Sequence, residues 1–107
     1  MSVSTHVLDS VSGRPAAGVA VQLATASRKQ IAAATTNSDG RVSELGPDLL
    51  EPGDYQVTFA TGDYFTAQGV NCFYPSVTVL FSVATGQPHY HVPLLLSPYS
   101  YTTYRGS

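Results

Sequence analysis

The chain has 107 residues and a formal net charge of −2. This length suits one domain with a core of its own, so residues 1–107 are predicted to form a single domain. A balance this close to neutral gives no electrostatic reason to expect a nucleic acid as a partner. No apolar run reaches the ~20 residues that a membrane-spanning helix needs, so no membrane is expected as a partner either.

Charged side chains are scarce, and this scarcity points to assembly. They make up 11% of the chain, whereas about a quarter is usual in soluble domains. A small monomer would have difficulty covering its surface with so few charges, although serine and threonine can also serve that purpose. The composition therefore favours extensive contacts between subunits.

The single cysteine and the N-terminal residues bear on disulfide formation and on the cellular location of the protein. Cys72 stands alone, so no disulfide can form within the chain. It is most simply a small buried hydrophobic residue, because no neighbouring feature marks it as an activated thiol. The first residues lack the basic and apolar segments of a secretory signal, so the expected location is cytoplasmic.

Short segments of alternating apolar and polar residues dominate the chain. Such alternation is typical of strands with one buried face. The Ala run at 32–34 has helix propensity, but its alternating surroundings and short flanking turns favour a strand. The pattern predicts strands, in chain order, at 4–9, 19–24, 31–36, 41–45, 54–61, 76–84, 89–96 and 99–105.

Turns and one short helix fill the intervals between these strands. Asn37-Ser38-Asp39-Gly40 is a strong turn signal, and Ser97-Pro98 bends the chain between its last two strands. Asp63 near the start and Gly69 near the end predict one or two helical turns at 62–69. About eight short strands at regular spacing predict an all-β sandwich or barrel.

The predicted strands carry a few strongly polar groups that could do chemistry. If the strands of His6, Arg41 and His91 are neighbours, these side chains form a cluster on one sheet face. A neutral histidine can act as a general base, and an arginine can hold a planar anionic oxygen. This set suits hydrolysis of a flat, polar, anionic ring without a covalent intermediate. The candidates are His6, Arg41, His89, His91, Tyr101, Tyr104, Arg105 and the carboxylate of Ser107.

Each candidate also has an ordinary structural interpretation. A strand histidine such as His89 is usually a half-buried polar residue, and an arginine after a tight turn is usually a solvated charge. His89-Tyr90-His91 has the spacing of a zinc-chelating pair, yet no Asp, Glu or Cys stands beside it, so no metal or other cofactor is expected. Ser107 lacks the surroundings of a nucleophilic serine. The tyrosines could simply be interface residues.

Three stretches carry a resemblance to a known family. They are Ser-Thr-His-Val-Leu-Asp at 4–9, Thr-Asn-Ser-Asp-Gly-Arg at 36–41, and His-Val-Pro-Leu-Leu-Leu-Ser-Pro at 91–98 running on to Tyr-Arg-Gly-Ser at 104–107. The chain resembles the transthyretin-like (prealbumin-like) proteins, and more closely their enzymatic branch, the 5-hydroxyisourate hydrolases. The closing Tyr-Arg-Gly-Ser is the specific part, because the hormone carrier transthyretin shares the Leu-Leu-Ser-Pro-Tyr-Ser-Tyr run at 95–101.

This resemblance implies a prealbumin-like sandwich of two four-stranded sheets with one short helix. It also implies a homotetramer, in which two dimers enclose a channel with the active sites at the dimer–dimer interface. The implied reaction is hydrolysis of a small-molecule substrate, 5-hydroxyisourate, which is a product of urate oxidation in purine breakdown. Water attacks the ring without a metal, and the product is 2-oxo-4-hydroxy-4-carboxy-5-ureidoimidazoline.

The resemblance also implies roles for particular residues, carried over by position. His89 precedes the matched motif and is not carried over. Which histidine is the base and which the acid is left open, with His6 preferred for activating water. The implied catalytic residues are His6, Arg41 and His91, and the implied substrate-binding residues are Tyr104, Arg105, Gly106 and Ser107.

Two other functions stay open from the sequence. A transthyretin-like carrier of a small aromatic ligand would share the run at 95–101. A non-catalytic β-sandwich module would leave both ends of the chain unexplained. A crosslinking module of this kind would also need a buried lysine, whereas Lys29 lies in a predicted hairpin tip.

Overall fold

The computed structural model describes residues 3–107, in which nine strands and one short helix follow one another. Within these residues no helix is long and apolar enough to cross a membrane. The elements are β1 Val3–Asp9, β2 Arg14–Pro15, β3 Ala20–Thr25, β4 Gln30–Thr35, β5 Arg41–Val42, β6 Gly53–Phe59, α1 Thr61–Thr66, β7 Val77–Val83, β8 Tyr90–Leu96 and β9 Tyr101–Thr103.

The strands form two sheets. One has the order β4-β3-β6-β7 and is antiparallel throughout. The other has the order β2-β1-β8-β9, with β5 also paired to β1. This confirms the expected all-β sandwich with one short helix. The second sheet has five strands rather than four because Arg14 and Pro15, expected in a loop, pair with Asp9 and Leu8.

Side-chain alternation in β1 separates the core from the outer face of its sheet. Val3, Thr5 and Val7 are buried, whereas His6 and Leu8 are only half-buried. Burying one valine or leucine side chain contributes roughly 1.5–3 kcal/mol. The apolar positions of β1 therefore determine that His6 faces outward, as the alternation predicts. The same core includes Val21, Leu23, Val57, Phe59, Leu94 and Leu96.

Parallel pairing of β1 with β8 brings the two ends of the chain together. Ser4 lies opposite His91 and His6 lies opposite Pro93 in this pair. Strand β5 pairs with the other side of β1, where Arg41 lies opposite His6. Strands β5, β1 and β8 are therefore neighbours in one sheet, which the clustering of the candidate residues requires.

The last strand is shorter than the predicted 99–105, because pairing covers only Tyr101–Thr103. A tight turn precedes it, in which the Ser97 N–H donates to the Ser100 carbonyl oxygen at 3.0 Å. Beyond β9, the Gly106 N–H donates to the carbonyl oxygen of His91 at 2.8 Å. This hydrogen bond holds the C-terminal tail, residues 104–107, against β8.

Most of the other boundaries agree with the alternation pattern. Strands β1, β3, β4, β6, β7 and β8 begin and end within two residues of their predicted bounds. The Ala run at 32–34 lies in β4, as predicted. Strand β5 stops at Val42 rather than continuing to 45, and α1 ends at Thr66 rather than 69.

Candidate active site

Three predicted catalytic side chains lie on adjacent strands of the five-stranded sheet. His6 and Arg41 are directly opposite each other in the β1–β5 pair, and such residues project from the same face of a sheet. His91 lies opposite Ser4, which is two positions before His6 in β1 and so shares its face. The structure thus brings His6, Arg41 and His91 together although they are far apart in the sequence.

A tight turn presents Arg41 at the start of β5. The Asn37 side-chain Oδ1 accepts hydrogen bonds from the backbone N–H groups of Asp39 at 2.9 Å and Arg41 at 3.0 Å. Gly40 has a φ of 73°, which lies in the left-handed region that glycine adopts without steric cost. The predicted turn at 37–40 therefore holds the backbone that carries the arginine.

The fold determines which nitrogen of neutral His6 carries the proton. Nε2 of His6 lies 2.9 Å from the backbone carbonyl oxygen of Asp39. Because a carbonyl oxygen can only accept, Nε2 must be the protonated donor in this hydrogen bond. In a neutral imidazole the other nitrogen is then bare. Nδ1 is therefore the basic nitrogen of His6.

His91 is held in its neutral form at neutral pH. Burial is the main cause that lowers the pKa of His91 below its ordinary value of 6.5. The charges of Arg41, His89 and His6 lower this pKa further, and a hydrogen bond with the backbone of Ser4 acts in the opposite direction. A neutral imidazole at this position can exchange a proton with a bound substrate.

Beside these groups the outer face of the sheet has an open depression of about 230 Å³. Arg41, His91 and Ser107 border it, whereas His6 is not among its lining residues, so the tail there meets residues on and next to β1, β5 and β8. Gly106 packs against the His91 ring so closely that no side chain would fit there. The full lining is Ser4, Thr5, Arg41, Val42, Ser43, His89, His91 and Ser107.

The tetrapeptide at 104–107 divides between two depressions. Tyr104 and Arg105 line a second one, of about 360 Å³. The guanidinium carbon of Arg105 lies 4.8 Å from the centroid of the Tyr90 ring, and its Nη2 donates to Gln87 Oε1 at 3.2 Å. Within one chain Arg105 thus belongs to the second depression, and its role toward the substrate stays a prediction.

The His-x-His pair has a shared hydrogen-bond partner. The rings of His89 and His91 are inclined by 15°, with centroids 6.4 Å apart. Both contact the Ser4 hydroxyl, His91 through Nδ1 at 2.7 Å and His89 through Nε2 at 3.2 Å. Among residues 3–107 no three His, Cys, Asp or Glu side chains are grouped so that they could hold a metal ion.

Sequence reasoning did not single out Ser4, and it listed His89 as a candidate without carrying over a role for it. Ser4 shares a face with His6, so the alternation of β1 was a signal that could have found it. His89 has the ordinary interpretation of a half-buried polar residue, yet it lines the depression. Tyr101, a candidate from the sequence, instead packs edge-on against the Tyr74 ring, with centroids 5.0 Å apart.

Comparison with known proteins identifies the family. A model described as the HIUase/Transthyretin family matches residues 3–106. This chain belongs to that family. The resemblance inferred from the two ends and the middle of the sequence is thereby confirmed.

Members of the family that are similar to this chain include 5-hydroxyisourate hydrolases and a transthyretin. The probable 5-hydroxyisourate hydrolase of Schizosaccharomyces pombe is 47% identical over 99% of this chain and 91% of that protein. The structure of Klebsiella pneumoniae 5-hydroxyisourate hydrolase is 34% identical, covers 100% of both chains and has a TM-score of 0.92. Sea bream transthyretin, solved in complex with thyroxine, is 36% identical over 99% of this chain and 95% of its own, with a TM-score of 0.91. Since the fold is equally like both kinds of protein, the side chains of the site must distinguish them.

Proposed function

We propose that this protein hydrolyses 5-hydroxyisourate to 2-oxo-4-hydroxy-4-carboxy-5-ureidoimidazoline in the breakdown of urate. The observation that carries the proposal is the meeting of His6, Arg41 and His91 on one sheet face. A carrier has no need for two titratable imidazoles and a guanidinium together on one sheet face. The family membership supports the proposal, because curated relatives of high coverage bear the hydrolase name.

His6 is the proposed general base. Its Nε2 is committed to the carbonyl oxygen of Asp39, so Nδ1 is the nitrogen that can take a proton from water. The water oxygen then attacks a ring carbonyl carbon of the substrate. General base catalysis of this kind contributes roughly 10²–10⁴-fold to a rate.

Arg41 and His91 are the proposed partners of the reacting ring. The Arg41 guanidinium is exposed and can hold the oxygen on which negative charge develops. As the tetrahedral intermediate collapses, the ring C–N bond breaks and its nitrogen needs a proton. The proton that His6 took from the attacking water passes to that nitrogen, and neutral His91 donates a hydrogen bond to the reacting ring, so both imidazoles end neutral.

The proposed assembly is a homotetramer with its sites at the dimer–dimer interface. One chain leaves the depression open, so a neighbouring subunit would be needed to exclude water and enclose a substrate. The tail residues contribute to substrate binding in this arrangement, and they are Tyr104, Arg105, Gly106 and Ser107. Large exposed side chains such as Leu80 and Tyr99 are consistent with surfaces that other subunits cover.

The reaction can be tested by generating 5-hydroxyisourate from urate in situ and following its absorbance. The protein should accelerate its disappearance far above the spontaneous rate. His6→Asn and His91→Asn should each lower kcat/KM by roughly 10²–10⁴-fold. Lys29→Gln, in the exposed hairpin between β3 and β4, is the matched control and should behave as wild type. Unchanged turnover in both histidine variants would refute the assignment.

A carrier of small aromatic ligands is the second candidate function. The likeness to sea bream transthyretin at 36% identity favours it. The variant Arg105→Glu separates the two functions, because it should lower hydrolysis sharply but need not weaken binding by a carrier. Stoichiometric binding of an aromatic ligand without turnover of 5-hydroxyisourate would favour the carrier.

A further inference from the structure

A buried serine connects two histidine rings at the edge of the proposed active site. Ser4 is 7% exposed. Its Oγ lies 2.7 Å from Nδ1 of His91 and 3.2 Å from Nε2 of His89. His89 also lines the depression that contains Arg41 and Ser107. The three side chains thus form one hydrogen-bonded chain that ends at a proposed catalytic group.

The Ser4 hydroxyl couples the protons of the two rings. A hydroxyl has a single hydrogen to donate, and its oxygen can accept. If Ser4 donates to His91, it must accept from His89, and the reverse arrangement exchanges both roles. The tautomer of neutral His91 therefore depends on the tautomer of His89.

The far nitrogen of His89 decides between the two arrangements. Nδ1 of His89 is buried and has no hydrogen-bond partner among residues 3–107. An orphaned buried N–H group is rarer in proteins than an under-satisfied acceptor. Nδ1 of His89 is therefore the bare nitrogen, and its Nε2–H donates to Ser4. The Ser4 hydroxyl then donates to Nδ1 of His91.

We propose that Ser4 and His89 are positioning residues that hold neutral His91 in the tautomer protonated at Nε2. This inference rests on the proposed hydrolysis for its catalytic meaning. The protonated Nε2 is the group that can donate a hydrogen bond to the reacting ring of the substrate, whereas His6 presents a bare Nδ1. The two catalytic histidines thereby receive opposite roles, and Ser4 and His89 act through His91.

The tautomer can be observed directly by long-range ¹H–¹⁵N correlation of the imidazoles in ¹⁵N-labelled protein at about pH 7.5. Wild-type His91 should show a protonated Nε2 and a bare Nδ1. Ser4→Ala should give a mixture of His91 tautomers and lower kcat by roughly 10- to 100-fold. Losses of this size are usual when a functional histidine, such as one that ligates a metal, loses the hydrogen-bond partner that orients it. KM should change less than kcat, because the substitution alters the proton on His91 rather than a charged group that holds the substrate.

Conservative variants separate positioning from packing. Ser4→Thr keeps the hydroxyl and should restore the wild-type tautomer and most of kcat. His89→Gln keeps an N–H donor toward Ser4, whereas His89→Phe keeps only the ring shape. The kcat of His89→Gln should therefore be higher than that of His89→Phe. Ser27→Ala, on the exposed hairpin, is the control for serine replacement and should match wild type in both measurements.

Two results would overturn the inference. One is a wild-type spectrum with His91 protonated at Nδ1, which remains decisive even if Ser4→Ala does not fold. The other is a folded Ser4→Ala variant with the wild-type tautomer and kcat. If wild-type protein does not hydrolyse 5-hydroxyisourate, the proposed function fails, but the spectra still test the hydrogen-bond chain by themselves.

Discussion

Individual side chains of the proposed active site differ in how strongly the fold constrains them. The carbonyl oxygen of Asp39 commits one nitrogen of His6. Burial and positive neighbours keep His91 neutral. The Arg41 guanidinium is exposed and offers several N–H donors. The roles proposed for His6, His91 and Arg41 therefore rest on three different constraints, which are a carbonyl contact, burial and exposure.

The pKa of His91 predicts how stability changes with pH. In the unfolded chain His91 binds a proton near pH 6.5, whereas in the folded protein it does so only at lower pH. The unfolded state then holds more protons between these values, so the free energy of unfolding decreases as pH falls through this window. Denaturant unfolding at about pH 7.5 and about pH 5.5 should show this decrease, and a smaller decrease in His91→Asn. An NMR titration midpoint of His91 at or above 6.5 would contradict the prediction.

Gly106 is predicted to be irreplaceable because of its contact with an imidazole rather than its backbone freedom. A Cβ there would overlap the His91 ring and lie 3.2 Å from Pro93 Cγ. Gly106→Ala should therefore displace the ring, with a loss in kcat of up to roughly 100-fold and a loss in stability of about 1–3 kcal/mol. In a His91→Ala background most of the stability loss should vanish. Equal losses in both backgrounds, measured by denaturant unfolding, would show that another contact is responsible.

Among the elements, the turn at 37–40 was predicted where the structure has it, whereas strand β5 is shorter than its predicted range of 41–45. The Asn-Ser-Asp-Gly sequence has a local signal, because the Asn side chain bonds the backbone two and four residues on. Strand β2 and the shortness of β9 have no such signal. Both depend on partner strands, Leu8–Asp9 for β2 and Leu94–Leu96 for β9, which a local pattern does not specify.

Two glycine substitutions test the importance of this turn for the element that carries Arg41. Gly40 and Gly13 both have a φ of 73°, so alanine at either position should cost roughly 1–2 kcal/mol in backbone strain. A Cβ at Gly40 would also overlap the Val7 carbonyl oxygen, whereas a Cβ at Gly13 would have no atom within 4 Å beyond its chain neighbours. Gly40→Ala should therefore cost a further ~1–3 kcal/mol and reduce activity. Equal stability of the two variants in denaturant unfolding would contradict this account.

For the whole molecule, the sequence predicts the layers of the fold but not which strands pair. Alternation predicts that His6 and His91 face away from the core, but it does not predict which strands lie next to each other. The parallel pairing of β1 with β8 joins residues at opposite ends of the chain, and no local propensity encodes so distant a contact. Only the family resemblance implied that these ends meet. The serine that links His91 to His89 depends on the same pairing, so it was not predicted.

Assembly into the proposed homotetramer should set both the mass of the protein in solution and its specific activity. Light scattering should give about 45 kDa, four times the chain mass of 11.3 kDa. Because the open depression needs a neighbouring subunit to enclose the substrate, dilution that dissociates the assembly should lower the specific activity. Full specific activity in a dilute monomer of 11.3 kDa would contradict the proposed interface site.

The claim that remote histidines act as one unit is tested most directly by a double-mutant cycle on kcat/KM for 5-hydroxyisourate. His6→Asn, His91→Asn and the double variant would be assayed beside wild type, with thermal unfolding as the check on folding. If each single substitution already disables the same proton-transfer unit, the second substitution has nothing more to remove. The double variant should then be about as slow as the slower single variant. A double variant whose loss equals the product of the two single losses would show independent residues and contradict the account.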